Sequence, residues 1–233
     1  MTQRSFEETD GDVKSRNYDA VASFYELLAN AYSFGLIRRA KMVEFKYLKP
    51  GQRVLYLGVG SGEEAVTAAR KGLEVTAIDL SSAMIERLRG RLARKGLRAE
   101  LIVGDALLHR PREPYDAVCG NYFFNVFGPG DMPRVLRHAV SLVRPGGRLM
   151  VADMAPPPRG ARGLLTWAYL KFGLSFFWLL RLASQHPIYD FRAYGAREGL
   201  ELEAVRDFGL RGLGMPLYRT VVMRRPGTAS FRP

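Results

Sequence analysis

The stretch that decides the fold is Val54-Leu55-Tyr56-Leu57-Gly58-Val59-Gly60-Ser61-Gly62, where an apolar run leads directly into three glycines spaced two apart. Residues 54–57 predict a buried strand, and residues 62–71 carry helical periodicity. The glycines therefore occupy a turn between the carboxyl end of a strand and a helix. Glycine permits positive φ and lets a ligand approach the backbone closely. Dinucleotide-binding enzymes and plain tight turns share such loops, so the loop alone does not decide the function.

Strand-like and helix-like segments alternate from this loop to residue 153. The pattern predicts strands at 54–57, 75–78, 101–103, 117–119 and 149–152, and helices at 62–71, 82–95 and 133–143. Alternation of this kind predicts an α/β fold with a doubly wound parallel sheet and helices on both faces. Two late strands, 202–205 and 218–223, have a link too short for a helical crossover and should pair antiparallel.

The 233 residues suit one domain. We predict that it spans residues 18–225, with an N-terminal helical cover at 18–47 made of two segments, 18–32 and 36–47. A very apolar element at 160–186 is the candidate lid or membrane-docking helix. Residues 1–17 are predicted to be a flexible tail because they contain almost no apolar residues. Residues 226–233 are predicted to be a second flexible tail because they contain Pro, Gly and Ser.

Composition favours a cytoplasmic protein. Apolar residues make up 47% and charged residues 25%, as in ordinary soluble domains. A single cysteine, Cys119, excludes an intramolecular disulfide and is predicted to be a buried thiol. Four acidic residues within the first twelve argue against a signal peptide. The net charge of +12 indicates attraction to an anionic partner, which charge alone does not identify.

Two acidic residues follow successive predicted strands. Asp79 ends the second strand, where a carboxylate can accept both hydroxyls of a ribose, and Asp105 follows the third, where an acid can receive an adenine amino group. Each could instead be a helix-capping carboxylate. Their order behind a glycine loop favours a bound nucleoside, and the G-x-G-x-G spacing makes a nicotinamide cofactor the less natural interpretation.

Together these motifs resemble those of class I S-adenosylmethionine (SAM)-dependent methyltransferases. The resemblance rests on Gly58-Val59-Gly60-Ser61-Gly62, Asp79-Leu80-Ser81, Gly104-Asp105-Ala106, Tyr115-Asp116 and Arg144-Pro145-Gly146-Gly147. It implies a Rossmann-like, seven-stranded sheet whose last strand is antiparallel, and SAM as the cofactor. The cofactor-binding residues that it implies are Tyr25, Gly58, Gly60, Gly62, Asp79, Leu80, Asp105, Ala106 and Asn121.

Within that class the sequence is most similar to the UbiE-type ubiquinone and menaquinone C-methyltransferases. The matching positions are Val21-Ala22-Ser23, Tyr25, Ser33-Phe34-Gly35, Arg38 and Lys41, together with the tail from His186-Pro187 to Glu198-Gly199-Leu200. The resemblance implies a small lipophilic substrate, and a quinone-type aromatic carbon is the first expectation for the methylated atom. The second expectation is N- or O-methylation of a phospholipid or secondary metabolite.

The sequence departs from the family pattern at the loop and after the fourth strand. Tyr56 stands where the family usually has an acidic residue that supports the glycine loop, and Glu63 could compensate. The residues after the fourth strand lack the Arg of the quinone enzymes near Asn125. No catalytic residue is therefore predicted. Tyr122, Asn125 and His186 are the candidate substrate contacts.

Other interpretations remain open at this point. Tyr56 motivates a SAM-binding protein with lost or altered chemistry, and the basic charge motivates a nucleic-acid-docking protein. No nucleic acid is favoured, because no RNA-binding module or zinc knuckle is present. His109 and His138 are expected to be surface or packing residues. No metal site is predicted, because no His or Cys residues have ligand spacing.

The apolar segment between residues 164 and 182 contains both tryptophans of the chain. Lys171 near its middle and Arg181 near its end make membrane spanning improbable. Aromatic residues beside basic ones suit the interface of an anionic bilayer, so we predict peripheral membrane contact. The alternative is a helix buried against the sheet. The sequence predicts no oligomeric state.

Overall fold

The computed structural model describes residues 32–179, 187–210 and 214–227. Its strands are β1 (Arg53–Leu57), β2 (Glu74–Asp79), β3 (Glu100–Val103), β4 (Tyr115–Cys119), β5 (Val143–Met154), β6 (Glu201–Leu210) and β7 (Met215–Arg224). Over the described residues they form one seven-stranded sheet in the order β3-β2-β1-β4-β5-β7-β6. All seven predicted strands are confirmed, although β5, β6 and β7 extend beyond their predicted ends.

The direction of the strands also agrees with the prediction. Strand β1 pairs in parallel with β2 and β4, and β4 pairs in parallel with β5. Strand β7 is antiparallel to both β5 and β6. The carboxyl ends of β1, β2 and β4 therefore meet at one edge of the sheet, and the glycine loop lies at that edge.

The helices are α1 (Leu36–Lys41), α2 (Glu63–Arg70), α3 (Ser82–Ala93), α4 (Met132–Leu142), α5 (Ala161–Leu179) and α6 (Phe191–Arg197). Short 3-10 segments occupy Met42–Lys46, Ala106–Leu108 and Phe124–Val126. The predictions for α2, α3 and α4 are confirmed to within a few residues. Helix α6 was not predicted. It is only seven residues long and is preceded by the N-cap residue Asp190, whose side chain accepts a hydrogen bond from the amide of Arg192 at 3.2 Å.

Helices cover both faces of the sheet, as predicted. Successive side chains of a strand point to opposite faces. In β1, Leu55 and Leu57 pack in the core cluster that includes α4 and α6. Val54 and Tyr56 pack in the cluster that includes α2 and α3. Burial from both sides explains why β1 reads as a continuous apolar run rather than an alternating one.

The described part of the N-terminal cover packs on the β5 and β7 side of the sheet. The predicted segment 36–47 is helical, but it divides into α1 and the 3-10 segment Met42–Lys46. Leu36 and Ala40 are buried against Ala152 and Leu217. The hydroxyl of Thr220 on β7 donates to the carbonyl of Ala40 at 2.6 Å, which fixes the cover to the sheet. The other predicted segment, 18–32, lies outside the described residues except for Tyr32, and both predicted tails lie outside them except for 226 and 227.

Helix α5 has one buried side and one exposed apolar side. Leu170 and Thr166 are buried, and the ring of Tyr169 stacks on Tyr32 with centroids 4.9 Å apart. The opposite side carries large apolar side chains that are between 49% and 67% exposed: Leu164, Leu165, Trp167 and Phe172. The described part of the helix is therefore buried on one side and exposed on the other. Within the described residues, α5 and the other helices fall short of the length and apolarity that a membrane span requires.

Candidate active site

The glycine loop is shaped by two glycines that pack and one that faces open space. Gly58, Gly60 and Gly62 all have positive φ, between 49° and 72°. A Cβ on Gly58 would lie 3.1 Å from the ring of Phe123, and one on Gly62 would lie 2.8 Å from a methyl carbon of Leu88. A Cβ on Gly60 would meet no atom within 4 Å. The close contacts fix the loop, and Gly60 keeps its outer face free for a ligand.

Asp79 connects the loop to the start of α3. Its Oδ2 accepts a hydrogen bond from the amide of Val59 at 2.7 Å, and its Oδ1 accepts one from the amide of Ser81 at 2.8 Å. An ionised carboxylate has about four lone-pair positions. One acceptor position therefore remains on each oxygen, which is what two neighbouring ribose hydroxyls need.

The end of β3 and the residues after β2 offer partners for an adenine. Asp105 is exposed, and its Oδ1 accepts from the amide of Leu107 at 2.8 Å. It is thus a capping residue, and its carboxylate retains acceptor capacity toward solvent. Leu80 is 75% exposed and Ala106 is buried. An exposed leucine beside an exposed acid suits an adenine ring, which has an apolar face and a polar edge.

These observations fit SAM. The cleft beside the loop opens to solvent and is lined by Lys41, Tyr56, Gly58, Val59, Gly60, Glu64, Ala65 and Asn121. Its polar groups include a carboxylate, an amide and an ammonium, which can pair with the amino acid end of the cofactor. Asn121 is held in place because its Oδ1 accepts from the amide of Ala152 at 3.2 Å.

Tyr56 has a buried acidic partner that the sequence analysis missed. Its hydroxyl donates to Oε1 of Glu44 at 2.6 Å, and Nδ2 of Asn121 donates to Oε2 of Glu44 at 2.9 Å. Glu44 is only 1% exposed. Burial raises the pKa of its carboxyl to about 7, with a further contribution from Glu64, although the Tyr56 and Asn121 hydrogen bonds oppose the shift. Strand β1 has Tyr56 at the position where the family usually has an acidic residue, and the N-terminal cover supplies an acidic residue, Glu44, that contacts it.

The expectation that Glu63 compensates for Tyr56 is wrong. Glu63 is not among the residues that line the cleft, and it forms an ion pair with Arg38 at 2.6 Å. Its neighbour Glu64 is the buried acid that lines the cleft, and it pairs with Nζ of Lys41 at 2.8 Å. Residues 63 and 64 lie in the first turn of α2, about 100° apart around the helix, so their side chains point in different directions.

Another buried acid lies beside Asn125, one of the candidate substrate contacts. Asn125 is buried, and its Nδ2 donates to Oδ1 of Asp153 at 2.9 Å. Asp153, near the end of β5, is 3% exposed, and burial raises its pKa to about 7. Among the described residues no donor lies within hydrogen-bond distance of its Oδ2. Tyr122 has a φ of 54°, and its ring lies 5.8 Å from Nζ of Lys41. The sequence analysis did not identify Asp153, because it read as the end of a buried strand.

The remaining predicted residues fall into two groups. Tyr25 and His186 lie outside the described residues. His109 and His138 pack beside the site rather than in it. Nε2 of His109 lies 2.9 Å from the hydroxyl of Tyr115, and Nε2 of His138 lies 3.0 Å from the carbonyl of Ala106. Cys119 is buried, as predicted.

The sheet order, the antiparallel β7, the glycine loop and the acid at the end of β2 define a class I methyltransferase architecture. The chain matches the family model of the methyltransferase domain over residues 54–147. It is 32% identical over 164 residues to a demethylmenaquinone methyltransferase of Thermus thermophilus, covering 68% of this chain and 74% of the relative. It is 26% identical over 216 residues to the ubiquinone/menaquinone biosynthesis C-methyltransferase UbiE of Cereibacter sphaeroides, covering 88% and 84% of the two chains.

A solved structure agrees with this assignment at the level of the fold. A SAM-dependent methyltransferase from Methanosarcina mazei superposes with a TM-score of 0.61 at 18% identity, covering 79% of this chain and 97% of that one. The chain belongs to the family of SAM-dependent methyltransferases that includes the UbiE-type enzymes, and SAM is its cofactor.

Proposed function

We propose that this methyltransferase transfers the methyl group of SAM to a ring carbon of a lipophilic, quinone-type acceptor. The names of the Thermus and Cereibacter relatives support this acceptor class. When bound, SAM supplies an electrophilic methyl group on a sulfonium. The residues proposed to hold it are Gly58, Gly60 and Gly62 at the loop, Asp79 at the ribose, Leu80, Asp105 and Ala106 at the adenine, and Asn121 at the amino acid end. Tyr25 remains a predicted contact.

The observation that carries the ring-carbon assignment is the buried pair of Asn125 and Asp153. A ring carbon that gains a methyl group must lose its hydrogen as a proton, whereas an amine acceptor needs only to arrive unprotonated. Burial raises the pKa of Asp153 to about 7, so its carboxylate form is accessible near neutral pH and can accept a proton. Asn125 donates a hydrogen bond to Oδ1 of Asp153, and Oδ2 of Asp153 has no hydrogen-bond partner among the described residues and can take the proton. We assign Asp153 as the proton acceptor and Asn125 as the residue that positions it.

The test uses reduced demethylmenaquinone as acceptor and SAM labelled in its methyl group. The label should appear on the quinol ring. Asp153→Asn should lower kcat by about 100-fold, the low end of the contribution of a general base. It should leave the affinity for SAM unchanged. The control Asp207→Asn removes an exposed carboxylate that pairs with Arg219 on the outer strands, and it should behave as the wild type.

Four results would count against this proposal. Wild-type kcat in Asp153→Asn would show that the buried acid takes no proton. Transfer of label to the amine or hydroxyl of a phospholipid or other small molecule, with none to the quinol, would favour an N- or O-methyltransferase. Label in a nucleic-acid extract would favour the nucleic-acid alternative. No transfer to any acceptor, with normal SAM binding, would favour altered chemistry.

We further propose that the enzyme meets its lipophilic acceptor at an anionic membrane surface. The exposed apolar side of α5, formed by Leu164, Leu165, Trp167 and Phe172, is accompanied by the basic residues Arg159, Arg162 and Lys171. Apolar side chains flanked by cations are typical of interfacial helices. Each basic group near an anionic surface adds attraction of about 1 kcal/mol.

Sedimentation with vesicles tests this membrane proposal. Binding should increase with the fraction of anionic lipid and decrease with salt. It should also decrease when Trp167 and Phe172 are replaced by Ser, while Leu202→Ser, at an exposed leucine on the outer strand β6, should have no effect. Absence of binding to anionic vesicles at low salt would leave a soluble acceptor as the better assignment.

A further inference from the structure

Five polar side chains meet beside the glycine loop and form what we call the acidic cluster: Lys41, Glu44, Tyr56, Glu64 and Asn121. Four of them line the cleft next to Gly58 and Gly60. The fifth, Glu44, lies directly behind Tyr56 and Asn121 and contacts both. The cluster therefore faces the part of the site next to the loop, where the amino acid end of SAM is placed by the proposed assignment.

The groups around Glu44 come from four different elements. Tyr56 on β1 and Asn121 after β4 donate hydrogen bonds to it. Cys119 on β4 is also in hydrogen-bond contact with its carboxyl, and Glu64 on α2 acts on it through its charge. The cation of the cluster, Lys41, is at the end of α1 and pairs with Glu64. Within the described part of the chain, Tyr56 and Asn121, which donate hydrogen bonds to Glu44, are both neutral.

The charges of the cluster do not balance when both acids are ionised. Glu44 and Glu64 are 1% and 5% exposed, and one ammonium group faces two carboxylates. A buried surplus of negative charge is unfavourable unless a cation compensates for it. Burial and the neighbouring Glu64 accordingly raise the pKa of Glu44 to about 7, so that it takes up a proton near neutral pH.

The cofactor and its product differ in the charge that they bring to this cluster. SAM carries a sulfonium, an ammonium and a carboxylate, which sum to one positive charge. S-adenosylhomocysteine (SAH) carries a neutral thioether in place of the sulfonium and has no net charge. Both ligands carry the same ammonium and carboxylate, so the sulfonium of SAM is the only source of a net positive charge that could compensate a fully ionised cluster.

We propose that Glu44 distinguishes SAM from SAH by charge: binding of the cationic cofactor drives Glu44 into its carboxylate form and releases its proton to solvent, whereas binding of neutral SAH does not. Glu44 acts as a positioning residue, through Tyr56 and Asn121 and through its charge. The inference rests on the proposed cofactor site and is independent of the acceptor. Its consequence is that the site binds SAM more tightly than SAH.

Isothermal titration calorimetry of the full chain tests the proposal, with SAM and SAH as separate ligands. Titrations in two buffers of different ionisation enthalpy report the protons exchanged on binding. At about pH 6, below the pKa of Glu44, SAM should release close to one proton and SAH close to none. At about pH 8 the release with SAM should disappear, because Glu44 is already ionised.

Glu44→Gln should abolish the proton release. At about pH 8 it should weaken SAM binding by about tenfold, the scale of losing one charge-assisted interaction, and change SAH binding by less than about twofold. Glu63→Gln is the matched control, since it neutralises an acid of the same helix turn as Glu64 that pairs with Arg38 outside the cluster. This control should retain the wild-type proton release and the wild-type ratio of SAM to SAH affinity.

Tyr56→Phe provides a second test that keeps the carboxyl. It removes the hydroxyl that donates to Glu44 and should move the proton release to higher pH, because a hydrogen bond to the charged form is lost. Equal weakening of SAM and SAH in Glu44→Gln, or equal proton exchange with both ligands in the wild type, would overturn the inference. Unchanged binding of both ligands in every cluster variant would instead refute the placement of the cofactor beside the loop.

Discussion

The pH dependence of stability in the ligand-free protein should be altered by a single substitution, Glu44→Gln. The pKa of Glu44 rises from an ordinary value of 4.5 to about 7 on folding, chiefly because the carboxyl is buried. The folded chain therefore binds this proton more tightly than the unfolded chain. The stabilising contribution is complete below pH 4.5 and is lost as the pH rises toward 7. Multiplying the change in pKa by 1.36 kcal/mol gives a loss of about 3 kcal/mol across that interval.

Urea unfolding followed by circular dichroism, at several pH values from about 4.5 to 7.5, measures this effect. Between the lowest and highest pH, the free energy of unfolding of Glu44→Gln should lose about 3 kcal/mol less than that of the wild type. The amide also places an NH₂ group against a donor, Tyr56 or Asn121, which adds a cost that does not depend on pH. The slope of the free energy of unfolding against pH therefore tests the prediction, whereas a constant difference in free energy between the variant and the wild type does not. Glu63→Gln should keep the wild-type slope. A Glu44→Gln curve parallel to that of the wild type would refute the reasoning.

Two further substitutions test the loop and its support. Asp79→Ala should weaken SAM binding by roughly 2 kcal/mol, measured by calorimetry, because the cofactor loses its hydrogen bonds to a charged group. The substitution also removes the hydrogen bonds from the amides of Val59 and Ser81 to the carboxylate. Unchanged affinity would show that Asp79 does not belong to the site. Tyr56→Asp should lower the free energy of unfolding by about 3 kcal/mol, since it buries a second carboxylate against Glu44, and the addition of Glu44→Gln should recover part of that loss. A single variant as stable as the wild type in urea would show that the two positions are not in contact.

Much of the fold was predictable because its signals are local. Each parallel strand is a short run of apolar residues, and each glycine of the loop marks a turn that needs positive φ. The antiparallel pairing of β6 and β7 followed from the shortness of their link. The position of Asp79 at a strand end also came directly from the order of residues. Helix α6 was missed because seven residues are too few to establish a period.

The sequence by itself determined the class of fold, the cofactor loop and the acids that follow β2 and β3. Only the tertiary structure showed that the departure at Tyr56 is matched by Glu44, that Glu64 rather than Glu63 faces the cleft, and that Asn125 holds Asp153. The partners in these hydrogen-bonded pairs are between 12 and 77 residues apart. Their chemistry depends on burial, which raises the pKa of Glu44 and of Asp153 to about 7. Burial is a property of packing between distant elements, so neither acid could be told from a solvated surface carboxylate until the sheet and its cover were assembled.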